Sequence, residues 1–180
     1  MFKSKKEKRL WIWVVLIIAT IYSTIIFGRP LGKYFQDQNV QAIIFVVVLL
    51  LVGLAILIHA LASKPGKVEL ALWIGLAAVY TMFILRLGLA ERSHLVEYSV
   101  LSIFIFRAFY ERFEGKVVKS ATFAFVVGTL VGVLDECIQI VAPHRVFDLT
   151  DIIFNTLSIL FALGSVLLIF IFRKWRKTDH

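Results

Sequence analysis

Residues 152–172 read IIFNTLSILFALGSVLLIFIF and contain no charged side chain. A helix needs about 20 mainly apolar residues to cross a bilayer core of about 30 Å. This stretch is long enough and apolar enough to do so. It therefore predicts a membrane-spanning helix and places the chain among the integral membrane proteins.

The composition of the whole chain points to the same class. Hydrophobic residues make up 60% of the 180 residues and charged residues 18%, where soluble domains have about 45–50% and about 25%. Mean hydropathy is +0.88. The apolar residues fall in long runs, which excludes a conventional soluble enzyme, a disordered chain and a fibrous repeat. The single cysteine, Cys137, excludes an intramolecular disulfide.

Six apolar runs are predicted to span the membrane. Five are apolar along their whole extent: residues 10–27, 40–61, 68–87, 118–141 and 152–172. The sixth, residues 94–110, carries His94 and Glu97 in its outer turns, so its clearly apolar part is residues 101–106. The sequence therefore predicts an all-α polytopic membrane bundle of about six transmembrane helices, forming one domain over residues 1–180.

Positive charges predict the orientation, because cytoplasmic loops are enriched in Lys and Arg. With six spans and a cytoplasmic N-terminus, 15 of the 20 Lys and Arg residues lie inside, in tracts at residues 3–9, 64–67, 107–119 and 173–177. A five-span arrangement would place the last tract outside. Both termini are therefore expected in the cytoplasm. Because the net charge of +8 is divided among these tracts, the expected partner is the lipid bilayer and not nucleic acid.

Polar residues of three predicted helices reach one level of the membrane. Ionisable residues at membrane depth are costly and mark candidate sites. The residues concerned are His94, Glu97 and Tyr98 at i, i+3 and i+4, then Asp135, Glu136 and Gln139, then Asp151 and Asn155. All lie near the predicted outer ends of their helices. We expect them to form one polar site at the outer leaflet.

Small residues predict close packing beside this site. Gly128 and Gly132 have the spacing that lets transmembrane backbones approach closely. On the last predicted helix, one face carries Asp151, Asn155, Ser158, Ala162 and Ser165. The two small-residue faces are expected to lie against each other and against the run 94–110.

The connection between the last two helices reads VAPHRVFDLT over residues 141–150. Pro143 ends the first helix, and Asp148 or Thr150 is placed to cap the second. The apolar residues at its centre predict a short re-entrant stretch, which is tolerated only where protein or a wet cavity satisfies its backbone. The connection also brings Arg145 to the level of the polar site.

Three strings carry a family resemblance: His94-x-x-Glu97-Tyr98, Asp135-Glu136-x-x-Gln139, and Pro143-x-Arg145-x-x-Asp148-x-x-Asp151-x-x-x-Asn155. They resemble the VanZ-like family of bacterial membrane proteins, named for an accessory protein of glycopeptide-resistance gene clusters. The resemblance covers about residues 86–172, with Ser158 where the family commonly has glycine. It implies a role in the bacterial cell envelope and low-level resistance to teicoplanin-like antibiotics.

The polar residues allow several roles. Glu136 is the candidate general base, with His94 and Asp151 beside it, because a buried carboxyl group can reach a pKa suited to proton transfer. Arg145 offers bidentate donors to an anionic head group. The candidate substrate-binding residues are Arg145, Gln139, Asp148, Asn155, Glu97 and Tyr98. Alternatively, these groups form ion pairs that only hold the helices together. A divalent cation is a weaker alternative, since no diagnostic ligand spacing is present, and neither metal nor cofactor is expected.

Two functions follow from these roles. The first is a membrane enzyme that acts on an envelope lipid or a lipid-linked cell-wall precursor from the outer leaflet. The second is a non-enzymatic module or scaffold that binds a lipid, the acyl chain of a lipoglycopeptide or a protein partner. The enzyme predicts polar groups left open to a ligand, whereas the scaffold predicts groups that satisfy one another. A transporter is less favoured because the sequence shows no inverted repeat.

Overall fold

The computed structural model describes residues 2–34, 66–87, 89–141 and 147–178, together with the single positions 43, 47 and 54. Regular structure in these residues is entirely helical. Five helices lie wholly within the four continuous described ranges: α1 Lys5–Tyr34, α2 Lys67–Arg86, α3 Leu89–Arg112, α4 Val117–Val141 and α5 Leu149–Thr178. The predicted all-α class is confirmed.

Three of these helices are long and apolar enough to cross a membrane: α2, Val117–Ile140 of α4 and Leu149–Trp175 of α5. The predicted runs 10–27 and 94–110 lie within α1 and α3. The run 40–61 falls outside the described residues except at three positions. Residues 142–146 of the connection 141–150, which is predicted to be re-entrant, also lie outside them. Three spans are thus supported, and the count of six stays a prediction.

Helix α3 lies at the centre of the bundle, in contact with α1, α4 and α5. Tyr98, Leu101 and Ile105 on this helix have no exposed surface, and its exposed side chains follow a strip that includes Val96 and Val100. A helix surrounded by protein needs no continuous lipid-facing surface. This explains why the most central helix has the least apolar of the six predicted runs.

Helices α4 and α5 are antiparallel and meet along small residues. A Cβ atom added to Gly128 would lie 3.1 Å from Cδ1 of Ile159. One added to Gly132 would lie 3.3 Å from both Cβ of Asn155 and Cε1 of Tyr98. The two small-residue faces therefore lie together against α3, as their spacing predicts.

The bundle has one basic end, made of residues 3–9, 67–69, 111–119 and 173–175. A tight turn joins α3 to α4 there, with positive φ at Glu114 and Gly115. Four ion pairs tie the helices together at this end: Lys3–Glu114, Lys6–Glu111, Glu7–Arg112 and Glu69–Arg173.

Glu7 is the most enclosed member of these pairs, with no exposed surface. Its backbone amide donates a hydrogen bond to Oγ of Ser4 at 2.9 Å, as in a helix N-terminal capping box. Its carboxylate accepts hydrogen bonds from the Lys3 amide at 2.6 Å and from the Arg112 guanidinium at 2.9 Å. Burial alone would raise the pKa of Glu7, but these donors outweigh it and hold the pKa below its usual value.

We expect Gly132→Ala to destabilise the protein more than Gly128→Ala does. The new methyl group at position 132 is held between Asn155 and Tyr98, whereas at position 128 it meets the flexible end of one isoleucine. Overpacking of this kind costs about 1–3 kcal/mol. Gly75→Ala is the matched control, because nothing lies within 4 Å of its added Cβ. Thermal unfolding in detergent measures the order, and a loss at position 132 no larger than the loss at position 128 would contradict it.

We also expect Glu7→Gln to lower the unfolding temperature near neutral pH, because it removes the charge that Arg112 pairs with. The folded-state pKa of Glu7 lies below its ordinary value of 4.5. Its contribution is therefore full above that value and is lost as the pH falls through the folded-state pKa. The difference between variant and wild type should shrink on acidification, as measured by melting curves across the acid range.

Glu114→Gln is the matched control for this experiment. Glu114 is exposed and pairs with Lys3 at the surface, and exposed ion pairs contribute little to stability. A Glu7→Gln difference that stays constant with pH would show that the carboxylate charge is not what stabilises this end.

Candidate functional site

The polar site lies at the end of the bundle opposite the basic end. Because α4 and α5 are antiparallel with Gly132 against Asn155, the turn that follows Gly132 lies beside the turn that precedes Asn155. These turns carry Glu136 and Asp151. The close approach of the two helices therefore determines which polar side chains meet.

Glu136 is fully buried, and both of its carboxylate oxygens accept a hydrogen bond. Nε2 of Gln139, one turn further along α4, donates to Oε1 at 2.9 Å. The backbone amide of Asp148, in the connection to α5, donates to Oε2 at 3.2 Å. Both donors are neutral. They orient the carboxylate without neutralising its charge.

Asp148 forms the N-terminal cap of α5. Its Oδ1 accepts a hydrogen bond from the Thr150 amide at 2.8 Å, the arrangement typical of aspartate at this position. The hydrogen bonds from Thr150 hold the pKa of the exposed Asp148 carboxyl group below its usual value. Asp148 thus stays ionised at neutral pH, and its backbone amide is fixed toward Glu136.

Carboxyl groups surround Glu136. Those of Asp135, Asp148 and Asp151 lie close enough for their charges to interact with it, and Glu97 on α3 interacts in the same way with Asp135. Asp135 itself is 2% exposed. The site therefore concentrates negative charge at one level of the bundle.

Helix α3 contributes an aromatic wall. The rings of His94 and Tyr98 are stacked with centroids 6.1 Å apart. Tyr98 has no exposed surface, and its hydroxyl interacts with the Asp135 carboxylate. Tyr22 of α1 was not anticipated from the sequence: its hydroxyl donates to the carbonyl of Val131 at 3.2 Å, and its environment includes Asp135. A polar aromatic residue within the apolar run 10–27 was the available signal.

The buried side chain of Asn155 lacks hydrogen-bond partners among the described residues. It is 1% exposed, and neither its amide nitrogen nor its carbonyl oxygen has a hydrogen-bond partner among the described residues. Nδ1 of His94 and the hydroxyl of Thr129 are in the same situation. An unsatisfied buried polar group costs about 1–3 kcal/mol. Such groups are explained by strain, by a role in function or by an ordered guest molecule.

Thr129 was not anticipated from the sequence. It lies seven residues before Glu136, two turns along the same face of α4. This spacing was the signal that could have identified it.

The structure brings eight of the nine predicted site residues into the described part of this end: His94, Glu97, Tyr98, Glu136, Gln139, Asp148, Asp151 and Asn155. The ninth, Arg145, lies outside the described residues. Arg92 is engaged elsewhere, donating from Nε to the carbonyl of Leu87 at 2.8 Å. Cys137 is exposed. Within the described ranges, no three His, Cys, Asp or Glu side chains are arranged to hold a metal ion.

A comparison with protein families gives one match, to the family described as VanZ/LLP1, over residues 3–173. Neither the curated proteins nor the solved structures give a match. The family match extends well beyond the segment 86–172 on which the sequence resemblance rests. It includes α1 and α2 in addition to the three helices that form the polar site. The chain belongs to the VanZ/LLP1 family.

Proposed function

We propose that the protein is a six-span protein of the bacterial cell membrane, with both termini in the cytoplasm, that contributes to resistance against teicoplanin-type antibiotics. Membership of the VanZ/LLP1 family supports the link to resistance. Three apolar helices support the membrane location. The Lys and Arg tracts of the sequence support the orientation.

In this proposal the protein acts at its polar site on an envelope lipid or a lipid-linked cell-wall precursor of the outer leaflet. Glu136 accepts a proton from the substrate, His94 relays it, and Asp151 completes the acid/base group. Arg145 binds the anionic part of the head group. Asn155, Gln139, Asp148, Glu97 and Tyr98 line the site.

The observation that carries this proposal is the unsatisfied amide of Asn155. A scaffold built only to hold helices together would pair its buried polar groups, because each unpaired group lowers stability. Here a side chain with 1% exposure leaves both a donor and an acceptor unused one turn from Asp151. A group from outside the described protein completes this hydrogen bonding.

The alternative is a non-enzymatic module that binds a lipid, the acyl chain of a lipoglycopeptide or a protein partner. One observation favours it. Both oxygens of Glu136 are already engaged, by Gln139 and by the Asp148 amide, as in a structural carboxylate. Mutation of Glu136 separates the two functions.

We expect expression of the protein in a susceptible Gram-positive host to reduce sensitivity to lipoglycopeptides more than to a glycopeptide without an acyl chain. Glu136→Gln should abolish this effect. Glutamine nearly preserves volume and hydrogen bonding but cannot accept a proton, and acid/base groups typically contribute about 10²–10⁴-fold to rate. Inhibitory concentrations measure the effect, with Glu114→Gln as the same chemical change at the basic end.

Abundance and thermal stability of each variant are measured beside resistance. Full resistance of Glu136→Gln at normal abundance would eliminate Glu136 as an acid/base group and favour the binding module. Lost resistance with an intact fold supports the enzyme.

We expect Asn155→Leu to abolish resistance without destabilising the purified protein. Leucine has the same branched outline as asparagine but is larger. Removal of two unsatisfied polar atoms gains about 1–3 kcal/mol, which offsets an overpacking cost of about the same size, so stability should change little. Ser158→Ala is the matched control on the next turn of α5, because the Ser158 hydroxyl bonds only to the carbonyl of Phe154 in its own helix. Loss of stability in Asn155→Leu with resistance retained would identify Asn155 as a structural residue.

A further inference from the structure

We infer that the ligand of the polar site carries a primary ammonium group, which binds between Glu136, Asp151 and Asn155. The inference rests on the proposed function, because it names the chemistry of the ligand that this site takes.

The ion pairs Lys3–Glu114, Lys6–Glu111, Glu7–Arg112 and Glu69–Arg173 all lie at the basic end of the bundle. At the polar end, neither Glu136 nor Asp151 forms an ion pair with a described Lys or Arg, although their charges repel each other. Buried charges are stable when they are paired. A cationic ligand supplies the missing charge.

The hydrogen-bonding groups match an ammonium ion. It has three N–H donors and no acceptor. Among the described residues, each oxygen of Glu136 accepts one hydrogen bond, from Gln139 or from the Asp148 amide, and so keeps a lone pair for a further donor. The carboxylate of Asp151 is half-buried at the same level, and the carbonyl oxygen of Asn155 accepts no hydrogen bond from a described residue. Glu136, Asp151 and Asn155 thus offer three acceptors, from two helices, for the three N–H donors of an ammonium ion.

Asn155 is a second feature that indicates a ligand, separate from the acidic cluster. It is uncharged, 1% exposed and unpartnered within the described part of the chain. It lies against Gly132 and Tyr98, one turn below Glu136 and Asp151. A polar guest would satisfy both atoms of its amide, whether or not the carboxylates are considered.

The outer surfaces of α4 and α5 indicate that the ammonium group belongs to an amphiphile. Leu134, Ile138, Ile153 and Leu157 are exposed large apolar residues on these helices at the level of the polar cluster. Acyl chains lying against them would place a lipid head group beside Glu136. A soluble amine could satisfy the same acceptors, and the experiment distinguishes the two sources.

The test measures dissociation constants by native mass spectrometry of the full chain in detergent. The probes are phosphatidylethanolamine, phosphatidylcholine and phosphatidylglycerol with identical acyl chains. Only the first presents N–H donors on a cation. Because hydrogen bonds to charged groups are worth about 1.5–3 kcal/mol, we expect it to bind about tenfold or more tightly than the other two. Asp151→Asn and Asn155→Leu should remove the preference, whereas Glu114→Gln and Ser165→Ala should keep it.

Several outcomes would decide against the inference. Equal affinities for the three lipids overturn the ammonium assignment, and if Asn155→Leu still weakens all three, the lipid site of the proposed function remains. A preference that survives in both site variants overturns the location. If a preference absent from wild type emerges in Arg145→Ala, the chain's own guanidinium occupies the position and the inference is wrong.

Soluble phosphoethanolamine identifies the source of the ligand. Binding of this probe with the same dependence on Asp151 and Asn155 supports the ammonium site and assigns it a soluble ligand. Binding of the lipid alone supports the site and assigns it a membrane ligand.

Discussion

Gly132 has no side chain, and Tyr98 and Asn155 occupy the space beside it so closely that an added methyl group would lie 3.3 Å from each. This contact brings α3, α4 and α5 together at one level. The turns above it then place Glu136 beside Asp151. A larger residue at position 132 would separate the helices, and the Asp148 amide would no longer reach Glu136. The polar site is therefore a consequence of backbone proximity.

A membrane bundle distributes its polarity differently from a soluble domain. The three helices that hydropathy identifies, α2, α4 and α5, expose large apolar side chains, as helices facing lipid must. Helix α3 is covered by its neighbours and carries buried Ser99, Ser102 and Tyr98. Because α3 is covered by protein, its hydropathy can be low. The predicted span with the weakest apolar character is therefore the helix around which the others pack.

Local sequence patterns predicted the features that depend on a single helix, namely where it lies in the chain and which of its faces is packed. Apolar runs gave the helices, and the spacing of Gly128 and Gly132 indicated which face is packed. Tertiary partners could not be read in this way. The capping pattern of Ser4 and Glu7 is local, but Arg112, which completes the burial of Glu7, is 105 positions away. The predicted position of Asn155 along its helix likewise placed it at the site. Only the packed structure shows that no described residue forms a hydrogen bond with its amide.

Glu136 has a part in both the proposed acid/base chemistry and the proposed ammonium site. Its hydrogen-bond donors, Gln139 and the Asp148 amide, are neutral, so they fix its geometry and leave its charge uncompensated. A buried carboxyl group in this setting is stabilised either by a proton or by a cation against it. In the proposed mechanism these states exclude each other, because an arriving ammonium group favours the ionised form of Glu136 and the proton that leaves passes to His94. Ligand binding would thus create the base beside the substrate only when the substrate is present.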